Sequence, residues 1–334
     1  MSAKPSKIGI ILGGTSEERE YAEKSANDIF SALKYLRYKP IKIDFDKYIL
    51  DNLNKNNIDL AFIIDATFIG TKKQAETINK KSLRHLLEDL NIPYTGSSLK
   101  SAETTKNKIA SKIAFIRAGL STPPYELVNL EIPPDQEAKR IIDNLQLPVI
   151  IKPRDEGSSI GIAVVKSYDS LVDAIRSLRK RFEYIFVEKY IKGKEVTVSV
   201  VELNSKLKSL PVIEINHKAE FYSREIKLTD FRVSNQSKNS SLFYIPARLK
   251  KNLYKKVQKV ASVAHKAVCC SGYSRVDIIV DSKNTPQILE INSLPVLESK
   301  DFVAWSARVE GIPYETLIEG IIKTAWNKFR ALPK

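Results

Sequence analysis

The first hundred residues alternate between two periodicities, and that alternation limits what the chain can fold into. KIGIIL, Lys7–Leu12, is a short continuous apolar run suited to a buried strand. GGTS interrupts it, and EEREYAEKSANDIFSALKYL then sets Ala22, Ala26, Ile29 and Leu33 on one helical face. YKPIKIDF and DLAFIID read as further strands, SLRHLLEDL as a helix, and NIPYTGSS as an exit strand and turn. Strand–helix–strand order requires crossover connections, so residues 7–100 predict a parallel sheet with helices on both faces. A helix over TKNKIASKIAFIRAGL, ended by Gly119, leads into STPPYELV. EIPPDQEAKRIIDNLQLPVIIKP then combines a Pro-rich loop, a helix and a strand. From about Lys189 strand-rich sequence dominates, until two closing helices form around Ala304 and from Tyr314 to Phe329. The length of 334 residues suits two or three domains, and no internal repeat or low-complexity segment interrupts them.

The charge is unusual. A formal net charge of +15 suggests a nucleic-acid partner, a polyanionic substrate or a Lys-rich surface. The basic residues are dispersed, and in KNLYKKVQKVASVAHKAV they line the solvated side of a helix whose Leu253, Val257, Val260 and Ala264 form a buried stripe. No zinc finger, basic zipper or aromatic-rich RNA motif accompanies them, so a nucleic-acid partner is not expected. Cys269 and Cys270 are adjacent without a distant partner, which excludes a disulfide framework or a cysteine zinc site. No apolar run reaches the roughly 18 residues that would cross a bilayer, and the stretch before Gly13 is short for a signal peptide. A soluble cytoplasmic protein with no membrane partner is the expectation.

Four stretches are candidates for chemistry. In RVDIIVDSKNTPQILEIN two β-rich runs flank the turn-forming Ser282–Lys283–Asn284–Thr285. Pairing Asp281 with Pro286 sets Ile279 against Ile288 and Asp277 against Glu290, with Asn292 on the same face. Like charges opposite one another need a cation between them, and three such oxygens suit Mg²⁺; a solvated hairpin face is the other reading. VIIKPRDEGSSIGIAVV places Lys152 at a strand end ahead of Gly157–Ser158–Ser159, where amides and hydroxyls can close over phosphates. In YIFVEKYIKGKEVTVSVV, Glu188 and Glu195 flank a short linker, as nucleoside contacts or as ordinary strand ends. GGTSEERE can receive an anion at its helix start, but a capping box by itself explains Thr15 and Glu18, and for this stretch taken alone capping is the preferred reading.

Together, in this order and over nearly the whole chain, these stretches resemble the D-alanine–D-alanine ligase family of the ATP-grasp superfamily. The resemblance implies three domains: an N-terminal Rossmann-like parallel sheet over 1–105, a small central lid over 106–188, and a mixed or antiparallel C-terminal sheet over 189–334. It implies an amino-acid ligase using ATP and magnesium, or manganese in its place. One substrate carboxylate attacks the γ-phosphate, and an amine displaces phosphate from the resulting acyl phosphate. By resemblance Lys108, Lys152 and Lys227 contact ATP phosphates, and Glu188 and Glu195 contact adenine and ribose. Asp277, Glu290 and Asn292 hold a pair of magnesium ions. Arg275 stabilises the tetrahedral intermediate, Ser158 lies near the substrate, and Glu18 receives the first substrate's ammonium group. A homodimer is implied too.

The substrate half departs from the pattern. FIIDATFIGTKKQAETINKK has no His-Gly and no acidic Gly-rich turn, and Leu228 stands for the Tyr beside Lys227. After Asn292 the chain reads SLPVLESKDF, so Val296 replaces a Gly and Asp301 stands where the family's carboxylate-binding Ser is expected. Val resists a left-handed backbone, and a negative charge at 301 would disfavour a second D-alanine. A different amino acid or a hydroxy acid is the alternative substrate, and a non-catalytic nucleotide-binding homologue is the alternative function.

Overall fold

The computed structural model describes residues 4–13, 16–71, 73–157, 160–216 and 242–331; the side chains of residues 16–18 are outside that description. The first sheet is parallel, as the alternation predicts. Its strands are β1 (Lys7–Leu12), β2 (Lys39–Asp44) and β3 (Leu60–Ile63), in the order β2-β1-β3. On one face α1 (Ser16–Tyr35) buries the predicted Ala22, Ala26, Ile29 and Leu33. On the other lie α2 (Ile49–Asn56), which the sequence reading does not anticipate, and α3 (Leu83–Asp89). The exit strand reduces to one parallel bridge between Ala61 and Tyr94.

The single helix expected next is two. α4 (Leu99–Lys106) and α5 (Lys108–Arg117) meet at Asn107, which is extended at φ −81 and ψ 100. Its Oδ1 accepts from Ile109 N and Ala110 N at 3.1 and 3.0 Å. An Asn carboxamide competes with the helix for backbone donors, so the chain restarts and turns Lys108 inward.

A second, antiparallel sheet has the order β4-β7-β5-β6, from β4 (Tyr125–Leu127), β5 (Val149–Pro153), β6 (Ala163–Val165) and β7 (Ile185–Lys189). α6 (Pro134–Leu145) and α7 (Tyr168–Leu178) pack their apolar stripes on it.

The third sheet runs β11-β10-β8-β12-β13, with β9 also on β8. Its strands are β8 (Gly193–Leu203), β9 (Lys206–Ser209), β10 (Ile213–Ile215), β11 (Phe243–Tyr244), β12 (Tyr273–Asp281) and β13 (Pro286–Asn292), all antiparallel. Val196, Val198, Val200, Val276 and Ile278 face α8 (Lys251–Ala267), which buries Val257 and Ala264 and half-buries Leu253 and Val260 as expected. The closing helices are α9 (Phe302–Val309) and α10 (Tyr314–Arg330). α10 packs against α1, so one core joins the first sheet to the end of the chain.

The β12–β13 hairpin corrects the predicted register near its turn. Asp281 does not pair with Pro286: its carboxylate accepts from Lys283 N and Thr285 N at 2.9 and 2.8 Å, so the chain wraps around it and Val280 faces Pro286. Ile278, not Ile279, therefore faces Ile288. A bulge at Leu289 then absorbs the extra residue and returns Asp277 to Glu290.

Candidate active site

Side chains alternate across a strand, so the face of the third sheet opposite α8 carries Thr197 and Ser199 of β8, Arg275 and Asp277 of β12, and Glu290 and Asn292 of β13. Thr197, Asp277 and Glu290 form one cross-strand row; Ser199, Arg275 and Asn292 form the next. Thr197 Oγ1 donates to Asp277 Oδ1 at 2.6 Å, and Arg275 Nε and Nη2 donate to its two oxygens at 3.1 Å each. Burial works against the Arg275 charge, but Asp277 outweighs it and holds the guanidinium pKa above its ordinary value. Glu290 is the open member of the row, with Lys108 Nζ 3.5 Å from its Oε2. Asn292 is exposed and accepts from Leu294 N at 2.9 Å.

This donor set fits a hard cation. It offers two carboxylates and an amide oxygen on one face, with Glu290 and Asn292 open to solvent. Among the described residues no group of three His, Cys, Asp or Glu residues is placed to hold a metal ion by itself.

Lysines approach from the neighbouring elements. Lys108, at the start of α5, donates to the Glu156 carbonyl in the loop after β5, and so bridges that loop to Glu290. Lys152, near the end of β5, contacts Glu188 Oε1, while Lys112 Nζ lies 2.8 Å from Oε2. Glu188 is fully buried in β7; burial alone would raise its pKa, but the two ammonium groups win and hold it below the usual carboxylate range. Burial likewise pulls Lys112 down, with Glu188 opposing it. Lys112 also donates to Thr122 Oγ1, which donates to the Ile288 carbonyl of the hairpin, both at 2.7 Å. Cations, lid loop and carboxylate hairpin thus form one connected assembly.

Comparison with known proteins shows the family. Residues 115–323 match the family described as D-ala D-ala ligase C-terminus. The chain belongs to the D-alanine–D-alanine ligase family. It is 36% identical to the D-alanine–D-alanine ligase of Carboxydothermus hydrogenoformans, covering 95% of this chain and 97% of that one. Against the ligase of Geotalea uraniireducens the identity is also 36%, over 96% of each chain. The D-alanine–D-alanine ligase of Bacillus anthracis, solved in complex with ATP, superposes with a TM-score of 0.75 at 27% identity, covering 97% of this chain and 99% of that one. The three sheets are therefore those of the ATP-grasp fold.

Seven of the eleven residues predicted for a site of this family stand together around the hairpin: Arg275, Asp277, Glu290, Asn292, Lys108, Lys152 and Glu188. Glu195, two residues before Thr197 on the same face of β8, borders a cleft of about 510 Å³ between the β7–β8 linker and β10. There Glu214 is clamped by Lys194 at 2.9 Å and by Arg248, which stacks 3.4 Å above the Tyr244 ring. Ser158 and Lys227 lie outside the described residues, and so does the side chain of Glu18, whose backbone is helical in α1. Val296 is not among the residues of positive φ, so the backbone there needs no glycine.

The sequence alone does not single out Lys112 or Thr197. A signal existed for Lys112: it lies four residues after Lys108 on the apolar stripe of KIASKIAF, where a lysine points inward and needs a partner. Thr197 carries none, because alternating Thr and Val suits any strand.

Proposed function

We infer that this protein is an ATP-dependent carboxylate–amine ligase that joins two amino acids through an acyl phosphate, with D-alanyl-D-alanine as the product suggested by its relatives. The observation that carries this is one connected site in which Asp277, Glu290 and Asn292 face the buried cations Lys108 and Lys152. A nucleotide triphosphate needs such a pairing: ammonium groups on the phosphates and hard oxygen donors for the cation that travels with them.

We assign Lys108 and Lys152, with Lys227, to the phosphates, and Glu195, with Glu188, to the nucleoside. Glu188 answers both Lys112 and Lys152, and that pairing pre-positions Lys152. Asp277, Glu290 and Asn292 would hold Mg²⁺, or Mn²⁺ in its place, which when bound neutralises phosphate charge. Arg275, kept in place by Asp277, presents a fixed positive charge for the oxyanion that forms when the amine attacks. Ser158 and Glu18 are assigned to the substrates. The first sheet lies within 1–105 and the third within 189–334, while the second ends at Lys189, one residue past 188; this supports three domains close to those limits. Among the described residues no helix is long and apolar enough to cross a membrane. We place the ligase in the cytoplasm as a homodimer acting on small molecules, and sedimentation would test the dimer.

The test is ADP release from Mg²⁺ATP alone and with D-alanine, D-lactate or L-amino acids, with mass spectrometry of the products. D-alanine-dependent ADP release with a dipeptide mass is expected. Absence of substrate-stimulated ADP release across the panel would overturn the reading.

A further inference from the structure

Thr197 stands in the carboxylate row, yet the reading above gives it no task. It is 1% exposed, in the middle of the valine-rich β8, with Asp277 of β12 directly across from it. Valine has the same shape and suits a strand as well, so folding alone does not require a hydroxyl there. Thr197 Oγ1 lies 2.6 Å from Asp277 Oδ1 and 3.4 Å from the Val276 carbonyl. A hydroxyl has a single proton to donate, and the short contact to the charged oxygen takes it.

Each oxygen of an ionised carboxylate has two lone-pair positions. On Asp277, Oδ1 accepts from Thr197 Oγ1 and from Arg275 Nε at 3.1 Å, so both of its positions are filled. Among the described residues Oδ2 accepts from Arg275 Nη2 alone, at 3.1 Å, and keeps a position open. Asn292 Oδ1 is in the same condition, since it accepts from Leu294 N and keeps a position.

The two donors to Asp277 differ in kind. Arg275 is two residues away on the same strand, on a long side chain, so guanidinium and carboxylate can swing together. Thr197 comes from the neighbouring strand on a short, β-branched side chain that is stiff at χ1. Its hydrogen bond therefore ties the pair to the backbone of β8.

We propose that Thr197 is a positioning residue that sets the cation preference of the site. It fixes the plane of the Asp277 carboxylate and leaves Oδ2 as the oxygen that faces the ion. This rests on the ligase reading, in which Asp277, Glu290 and Asn292 hold the cation. Mg²⁺ demands near-ideal octahedral geometry, whereas Ca²⁺ accepts loose and variable ligand arrangements. A carboxylate held rigidly, with a single oxygen on offer, favours the smaller ion.

The experiment measures ion binding without turnover. Wild type, Thr197→Val and Thr197→Ser are each mixed with a non-hydrolysable ATP analogue, and bound Mn²⁺ is followed by electron paramagnetic resonance. Mg²⁺ and Ca²⁺ are then titrated in to displace it. The analogue's own ion preference is common to all three proteins and cancels in the comparison. Thr197→Val should weaken Mn²⁺ and Mg²⁺ by about tenfold, as loss of a hydrogen bond to a metal ligand does. Ca²⁺ should lose less, so the preference for Mg²⁺ over Ca²⁺ falls by about threefold or more. Thr197→Ser keeps the hydroxyl and should recover most of both. A folding defect would lower the number of ions bound per chain without changing the Mg²⁺ to Ca²⁺ preference. An unmoved preference in Thr197→Val, an equal loss for all three ions, or a serine variant no better than valine overturns the proposal and leaves the ligase reading intact. Wild type that holds no Mn²⁺ beyond what the analogue holds in solution removes the cation assignment itself, and this inference with it.

Discussion

Replacing Lys112 by methionine isolates the contribution of the buried cation to the site. The stem keeps its volume, but Glu188 loses one of its two ammonium partners. Both side chains are 1% exposed and their charged atoms are 2.8 Å apart, so water cannot replace the lost contact. Removing one member of a buried pair costs about 3–5 kcal/mol. The lost hydrogen bonds to Thr122 Oγ1 at 2.7 Å and the Pro123 carbonyl at 3.4 Å together add about 1 kcal/mol. Lys152 still answers Glu188, which places the total near the lower end, about 3 kcal/mol. With a urea slope of about 3 kcal/mol per molar, the unfolding midpoint should fall by about 1 M. Glu188→Gln alone strands two lysines, whereas the double variant strands only one. The double variant should therefore be at least about 1 kcal/mol more stable than the sum of the singles predicts. Additive losses, or a Lys112→Met midpoint within 0.2 M of wild type by the same slope, would refute the account of Glu188 as an anchor for both lysines.

Further outcomes follow from the same geometry. Asp277→Asn should lower ADP release by about 10²–10³-fold, since charge stabilisation of this kind is worth several kcal/mol; chelation of divalent cations should abolish release in wild type. Gly193→Ala should destabilise by about 1–3 kcal/mol or more, measured by thermal melting, because the new Cβ would lie 2.2 Å from the Val280 carbonyl and the β8–β12 backbones cannot yield cheaply. Glu188, Glu202 and Glu214 are all held below their ordinary 4.5 in the fold. The stability they contribute is therefore complete above that value and is lost as pH falls through their lower folded values. A urea midpoint that drops as pH falls below about 4 is expected, and in Lys112→Met the drop should begin at higher pH.

The sequence by itself determined the parallel first sheet, the amphipathic α8, the closing helices and the carboxylate hairpin. These depend on local periodicity and turn residues: KIGIIL cannot be a solvated loop, and a stripe from Leu253 to Ala264 needs a sheet to cover it. The resemblance extended this to Arg275 and Lys108, which no local pattern singles out. Tertiary structure decided the rest. The split at Asn107 follows from a single side chain competing for backbone donors, which an unbroken apolar stripe hides. The bulge at Leu289 corrects a register already displaced by Asp281, so Asp277 meets Glu290 by two compensating departures from the simple hairpin. Lys112 and Glu188 belong to different elements far apart in the chain. Whether a charge is answered inside a protein depends on which element packs over it, and that exists only once the sheets have come together.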